Sequence, residues 1–504
     1  MSGSWSMGAS PAVAQIRNVT LLGHSGLSDI TIEGERIVSV TPAGVLAAPA
    51  SSDDACVIDA DGRWLTSGLW DEHVHFAQWA EQSTRLDLGA ATNASEAIAI
   101  LIEGLAEVGV SAEAPAAAEF VAMRARAASW PDAISREALD AISGETPLVV
   151  IGIDLHGLWL NSAAMRSRGM EPQGDGHIIE DDCFALLREL DNRPAHELDV
   201  LVERTSRSAA ARGIVGVVDL EMRWCLDDWA RREAAGFDLL RVESAVYPDQ
   251  LDRALAGSYR SGDPLTDSGR LRVGPLKVIT DGSLGTSTAW CCDPYEDGSF
   301  GRSLVSALDL QDLMRRANSG GLDLAIHAIG DQAGAQVLDA FEVLGIGGRI
   351  EHAQLLRNED LARFAQLGVE ASVQPTHLVD DRELTERVWP GRAPRAFPFA
   401  SLNALGTKLV FGSDAPVAPL DPWEGIHAAV NRARQGDTAW TPSECVPVEL
   451  ALESSMRGPL VPGAGDAADL VLLDADPLSM PAARLDDMRV AVTVVGGLVT
   501  HRAM

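Results

Sequence analysis

Lysine is almost missing from this chain: Lys277 and Lys408 are the only two in 504 residues, and arginine supplies the rest of the strongly basic side chains. Basic charge of either kind is scarce, with 40 Lys and Arg against 73 Asp and Glu and a formal net charge of −33. A polyanion would be repelled by such a surface, so neither nucleic acid nor an anionic membrane is an expected partner. No run of about 18 apolar residues occurs, so no transmembrane helix is expected. The stretch "MSGSWSMGASPAVAQIRN" lacks a basic segment followed by an apolar core, so no secretory leader is read there and the expected location is cytoplasmic. The six cysteines (Cys56, Cys183, Cys225, Cys291, Cys292, Cys445) form no C-x-x-C pair. That spacing excludes a disulfide framework or a zinc knuckle and leaves buried thiols as the expectation. Internal repeats and low-complexity tracts are absent too.

What is present is a hydrophobic fraction of 46% in a chain long enough for a full α/β barrel and something more. Short alternating runs open the chain ("AQIRNVTLL", "SDITIEGERIVSV", "ACVIDADGRWL") and close it ("ADLVLLDAD", "RVAVTVVGGLVTH"). They predict one small β-sandwich built from residues 1–67 and 458–504. Between them, over residues 68–457, apolar runs alternate with helical patterns: "GLWDEHVHF", "GIVGVVDL", "LLRVESAVY", "LRVGPLKVIT", "LDLAIHAI", "GGRIEHAQL", "GVEASVQPT" and "KLVFGSDAP". Eight such runs predict an α/β fold of the (β/α)8 TIM-barrel type. The Ala-rich segment at about 80–205, helical with one apolar strand "PLVVIGIDL", predicts an insertion over the barrel mouth.

In "GLWDEHVHF" His73 and His75 stand one residue apart, so on a strand both imidazoles project from the same face. An H-x-H alone is weak evidence for a metal. The other apolar runs add Lys277, His327, His352 and Asp414, and barrel chemistry gathers where strands end. Four strand-end histidines with an aspartate point to a metal site rather than to hydrogen-bonded core histidines. Lys277 has two readings. Burial lowers a lysine's pKa toward the neutral amine, which can take up carbon dioxide and bridge two metals as a carbamate. Alternatively its stem packs in the barrel and its head pairs with Asp281 or another carboxylate.

These motifs resemble the amidohydrolase superfamily and, within it, amidohydrolase family 3, the group that includes N-substituted formamide deformylases. The resemblance runs through "ITIEGERIVSV", "VIDADGRWL", "HGLWLNSAAM", "LKVITDGSLGTSTA", "LAIHAIGDQA", "RIEHAQLL", "SVQPTHLVDD", "FGSDAPV" and "ADLVLLDADPL", nearly the whole chain. It implies a barrel with a β-sandwich from both termini and hydrolysis at a centre of one or two divalent ions, zinc foremost. Carried over, His73, His75 and Asp414 hold the more buried ion, carboxylated Lys277 bridges, and His327 and His352 hold the more exposed one. A metal lowers the pKa of bound water, and the hydroxide attacks a polarised carbonyl, with Asp414 as catalytic base and acid.

His156, Asn161, Trp290 and His377 are candidate substrate contacts, and Asp281 and Ser283 are read as turn residues. Where the family pattern has Pro-Gly before H-x-H, this chain has Ser67-Gly68, and where it carries Gly-Ser-Arg, this chain has Gly285, Thr286 and Ser287. Without that arginine, and with Trp79, Trp159 and Trp290 expected at the mouth, the anticipated small-molecule substrate is a neutral, apolar or aromatic amide or formamide. Hydrolysis of a cyclic amide or deamination is the nearer alternative, and a non-catalytic metal-binding regulatory protein the more distant one. A homodimer is a candidate assembly.

Overall fold

A computed structural model describes residues 10–45, 55–82, 84–190, 193–434 and 436–504. The opening residues 1–9 and the 46–54 part of the anticipated terminal β domain lie outside the described residues. Both ends of the chain meet in one eight-stranded, mainly antiparallel sheet. Strand Ala12–Leu21 lies at its middle, pairing with Leu27–Glu33 and with Leu498–Arg502 antiparallel and with Ala55–Asp59 parallel. Trp64–Ser67 pairs with Leu470–Leu473 and so stitches the two termini together. Alternate residues such as Ile16, Ile30, Ile58, Leu470 and Val492 make a separate apolar core, as expected of strands with one face buried.

The eight apolar runs of the middle are the eight strands of a parallel, nearly closed barrel. In chain order they are Leu69–Val74, Ile214–Asp219, Arg241–Val246, Leu271–Ile279, Leu324–Ala328, Gly348–His352, Val369–Val373 and Leu409–Phe411. Neighbours in sequence among these eight are neighbours in the sheet, as expected of consecutive β–α units. The first and eighth strands meet through a Val74–Ala415 bridge, an Asp414 N–H to His73 carbonyl bond of 2.7 Å and a His75 N–H to Ala415 carbonyl bond of 2.8 Å. Gly412 permits that approach, since a Cβ there would lie 2.6 Å from both the Cβ and the backbone N of His73. Asp71 fastens the same seam by accepting from the backbone N–H groups of Ser413 and His73.

The insertion departs from the expected helical segment with one strand. It holds a five-stranded sheet, Leu86–Asp87, Phe120–Ala125, Leu148–Gly152, Gly157–Leu160 and His177–Ile179, in chain order across the sheet. Four of these strands have between two and six residues and no sustained alternation, so period-two patterning could not reveal them. "PLVVIGIDL" is the buried central strand. Helix Ala195–Ala210 then returns to the barrel and packs on helix Phe76–Gln82.

Candidate metal centre

Five barrel strands deliver polar side chains to one cavity of about 80 Å³ at their C-terminal ends. Its lining includes His73, His75, Lys277, His327, His352 and Asp414. All six are buried. His73, His352 and Asp414 each offer a donor atom within 4.8 Å of the other two. Asp414 Oδ1 lies 3.2 Å from His73 Nε2 and 3.4 Å from His75 Nε2, while Lys277 Nζ stands 3.4 Å from His73 Nε2. The His352 ring lies 5.0 Å from that of His73 and 4.5 Å from that of His327. Backbone strain accompanies the arrangement: His352 sits at φ 70° and Asp414 at φ 57°, left-handed values that non-glycine residues hold only where the surrounding structure enforces them.

The chemistry of the donor set fits a divalent cation. His75 Nδ1, His327 Nε2, His352 Nδ1 and His377 Nε2 are buried without a hydrogen-bond partner among the described residues, a costly condition for polar atoms unless a ligand satisfies them. His327 Nε2 does lie 3.3 Å from Asp281 Oδ1, but off the alignment of a hydrogen bond. Imidazole nitrogen and carboxylate oxygen are the donors that zinc-like ions take.

Charge in the cavity is set by burial and by the charged neighbours of each group. Burial brings the Lys277 ammonium down to about 8, against the pull of Glu351 and Asp414. Burial also favours neutral His352, helped by the neighbouring His327. For His73, burial and Lys277 oppose the charged ring, and Asp414 and Glu351 outweigh them, so its pKa is raised. Asp414 is drawn well below the ordinary carboxylate range: burial opposes its charge, and His73 and His75 overcome it. Among the described residues Lys277 makes no ion pair, and Asp281 instead accepts from the backbone N–H groups of Trp290, Ile329 and Gly330. Asp281 thus braces the loop.

Of the further contacts anticipated, His156 and His377 line the cavity, and His377 Nε2 lies 3.8 Å from Asp414 Oδ2. Asn161 and Trp290 do not line it. Asn161 is fully buried as the cap of helix Ser162–Ser167: its Oδ1 accepts from the Ala164 and Leu148 N–H groups and its amide donates to Ser143 and Thr146. Trp290 packs against the barrel core, and its carbonyl caps the Gln332 and Ala333 N–H groups. Trp79 likewise packs on an apolar core. Trp159 alone of the three tryptophans borders the mouth, in an adjoining cavity of about 210 Å³ where it stacks on His177 at 4.3 Å. The apolar lining of the donor cavity instead includes Ile153, Leu155, Phe184, Met222 and Ile279.

Two groups were invisible to motif reading. Glu351 hydrogen-bonds His73 Nδ1 at 2.7 Å and is itself held by Arg349 at 2.6 Å. Asp154, Asp380 and Asp381 stand where the two cavities join, with Arg126 bound to Asp380 at 3.0 Å. The "RIEH" and "HLVDD" runs contain Glu351 and the aspartate pair, but only the fold shows which way they face.

A model of the amidohydrolase family matches residues 56–501 of this chain. The chain is 26% identical over 497 residues to the YtcJ protein of Bacillus subtilis, covering 88% of this chain and 90% of that protein. It is 25% identical over 513 residues to the N-substituted formamide deformylase of Arthrobacter pascens, covering 90% of this chain and 91% of the deformylase. Among solved structures, an uncharacterized metal-dependent hydrolase from Pyrococcus horikoshii OT3 superposes with a TM-score of 0.75 at 24% identity, over 93% of this chain and 98% of that one. That superposition supports the barrel and its terminal sheet.

Proposed function

The chain belongs to the amidohydrolase family, and from that premise we propose that it is a metal-dependent hydrolase of a C–N bond in a non-peptide amide or formamide. The observation that carries the reading is the convergence of six buried donors from five strands on one cavity, with imidazole nitrogens that have no partner among the described residues. His73, His75 and Asp414 would hold one ion, His327 and His352 a second, and carboxylated Lys277 would lie between them. A bound divalent cation supplies Lewis acidity and a lowered pKa for water. The chain's own residues do the rest. Glu351 accepts a hydrogen bond from His73 Nδ1–H, which leaves Nε2 as the nitrogen available to a metal. Asp414, ionised and next to both H-x-H rings, accepts the proton of the attacking water and returns it to the leaving nitrogen. Lys277 is buried and free of any ion pair among the described residues, and burial lowers its ammonium pKa, which enlarges the share of neutral amine that carbon dioxide uptake requires.

The wall of Ile153, Leu155, Phe184 and Met222 suits an apolar group on the amide, and Asp154 at the junction of the two cavities disfavours a free carboxylate. Arg126 and Arg434 are both tied to Asp380, so neither offers a free cation to a substrate carboxylate. Purified, metal-replete protein is therefore expected to show at least about tenfold higher kcat/KM on N-benzylformamide than on an N-acyl amino acid of similar size, the equivalent of about 1.5 kcal/mol. Preference for the acyl amino acid would overturn the substrate assignment. Absence of any C–N hydrolysis by metal-loaded protein would favour a non-catalytic metal binder.

A further inference from the structure

The donor cavity is small for an amide that carries a large apolar group. It holds about 80 Å³, against roughly 150 Å³ for a cavity that accommodates one benzene ring. The adjoining cavity holds about 210 Å³. Ile153, Asp154, Gly285, Asp380 and Asp381 line both spaces, which therefore meet along one junction. The barrel and the insertion approach each other closely there. A Cβ at Gly285, in the loop after the fourth barrel strand, would lie 2.1 Å from Asp154 Oδ2. Thr286 of the same loop donates to Glu180 Oε1 at 2.9 Å, and Glu180 Oε2 lies 3.0 Å from His156 Nδ1, so this spacing is tied on the insertion side.

The charged groups that line the adjoining cavity are already engaged. Arg126 and Arg434 bind Asp380 at 3.0 and 2.8 Å, Gln354 donates to Asp381 at 3.1 Å, and Ser283 donates to Asp154 at 2.8 Å. What the cavity offers a ligand is its apolar wall. Ala127 and Ala128 come from the turn Ala127–Ser129, Leu384 from helix Arg382–Val388 and Trp159 from strand Gly157–Leu160. Strand pairing sets Trp159 opposite His177, and their rings stack at 4.3 Å and 1°, which fixes the plane of the indole. On the reading of the donor cavity as a hydrolytic centre, we propose that the adjoining cavity seats a neutral aryl group borne by the amide. The substrate is then an arylalkyl amide or formamide whose carbonyl lies among the donors and whose ring passes the Ile153 and Gly285 junction to pack near Trp159. Ring burial against aliphatic and aromatic side chains supplies the binding, and the bond to be cleaved stays at the donors.

The test uses full-length, metal-replete protein with N-benzylformamide and N-methylformamide, which share the scissile bond and differ in the ring. Seating the ring is expected to give the wild type a kcat/KM about thirtyfold higher on the benzyl compound. Ala128→Phe, which fills the adjoining cavity from its wall, is expected to cut that ratio to about threefold. Trp159→Ala, which removes the aromatic surface, is expected to lower it about fivefold. A wild-type ratio in either variant would overturn the proposal. Faster turnover of the analogue bearing a para-ammoniomethyl group than of N-benzylformamide would overturn the neutral character of the ring. Hydrolysis of neither formamide would remove the functional reading alone, because ring binding is read separately by fluorine NMR of para-fluorobenzyl alcohol. A saturable shift that Ala128→Phe abolishes supports the ring site. A shift that is absent from the wild type, or that survives in the variant, overturns it.

Discussion

At the scale of single residues, the 2.7 Å contact between His73 Nδ1 and Glu351 ties a metal-facing ring to a buried ion-pair chain. Arg349 binds both Glu351 and Glu72, and Arg457 binds Glu72 and Glu243, so the chain reaches the opposite end of the barrel. Glu351→Gln keeps the shape and loses the charge that fixes the His73 tautomer. Affinity for zinc, measured by chelator competition, is expected to fall about tenfold to a hundredfold while the circular dichroism spectrum is retained. Unchanged affinity would show that Glu351 serves only the ion-pair chain. Lys277→Ala is expected to lose most bound metal and activity without losing the fold, and small added carboxylates are expected to restore part of both by filling the bridging position. Full metal content in that variant would reduce Lys277 to a packing role.

Elements explain which parts of the site the sequence made legible. His73, His75, Lys277, His327, His352 and Asp414 could be read because each sits in or just after an apolar parallel strand, where an ionisable side chain stands out. Asn161 could not be placed from its motif, since Asn before a helix signals a cap as readily as a ligand contact. Glu180 and Glu351 were hidden because their partners lie 24 and 278 residues away in sequence. The insertion's strands were too short to pattern. Helix Pro422–Asn431 illustrates an energetic cost equally invisible in sequence: burial, Asp421 and Asp380 raise the Glu424 carboxyl in its first turn from an ordinary 4.5 to about 7. Between those values the unfolded chain binds fewer protons at this group than the folded one, so stability falls as pH rises. Glu424→Gln is expected to raise Tm relative to wild type at about pH 8 and to leave it unchanged at about pH 4. An equal gain at both pH values would assign the effect to packing.

For the whole molecule, the termini close into one sheet beside the barrel, and Arg241 joins the two by binding Glu35 at 2.9 Å and Asp469 at 2.7 Å. The barrel thereby gains a flank tied to it by ion pairs, while the insertion borders its mouth with His156 and Trp159. Scaffold and specificity are thus carried by different stretches of the chain, and the account stands or falls on the centre they surround. The most direct measurement is the anomalous difference density of a crystal grown with zinc. The account predicts density in the cavity, with His73, His75 and Asp414 or His327 and His352 at about 2.0 to 2.2 Å from an ion. A zinc-soaked crystal with well-ordered His73, His352 and Asp414 and no anomalous density among them would contradict it.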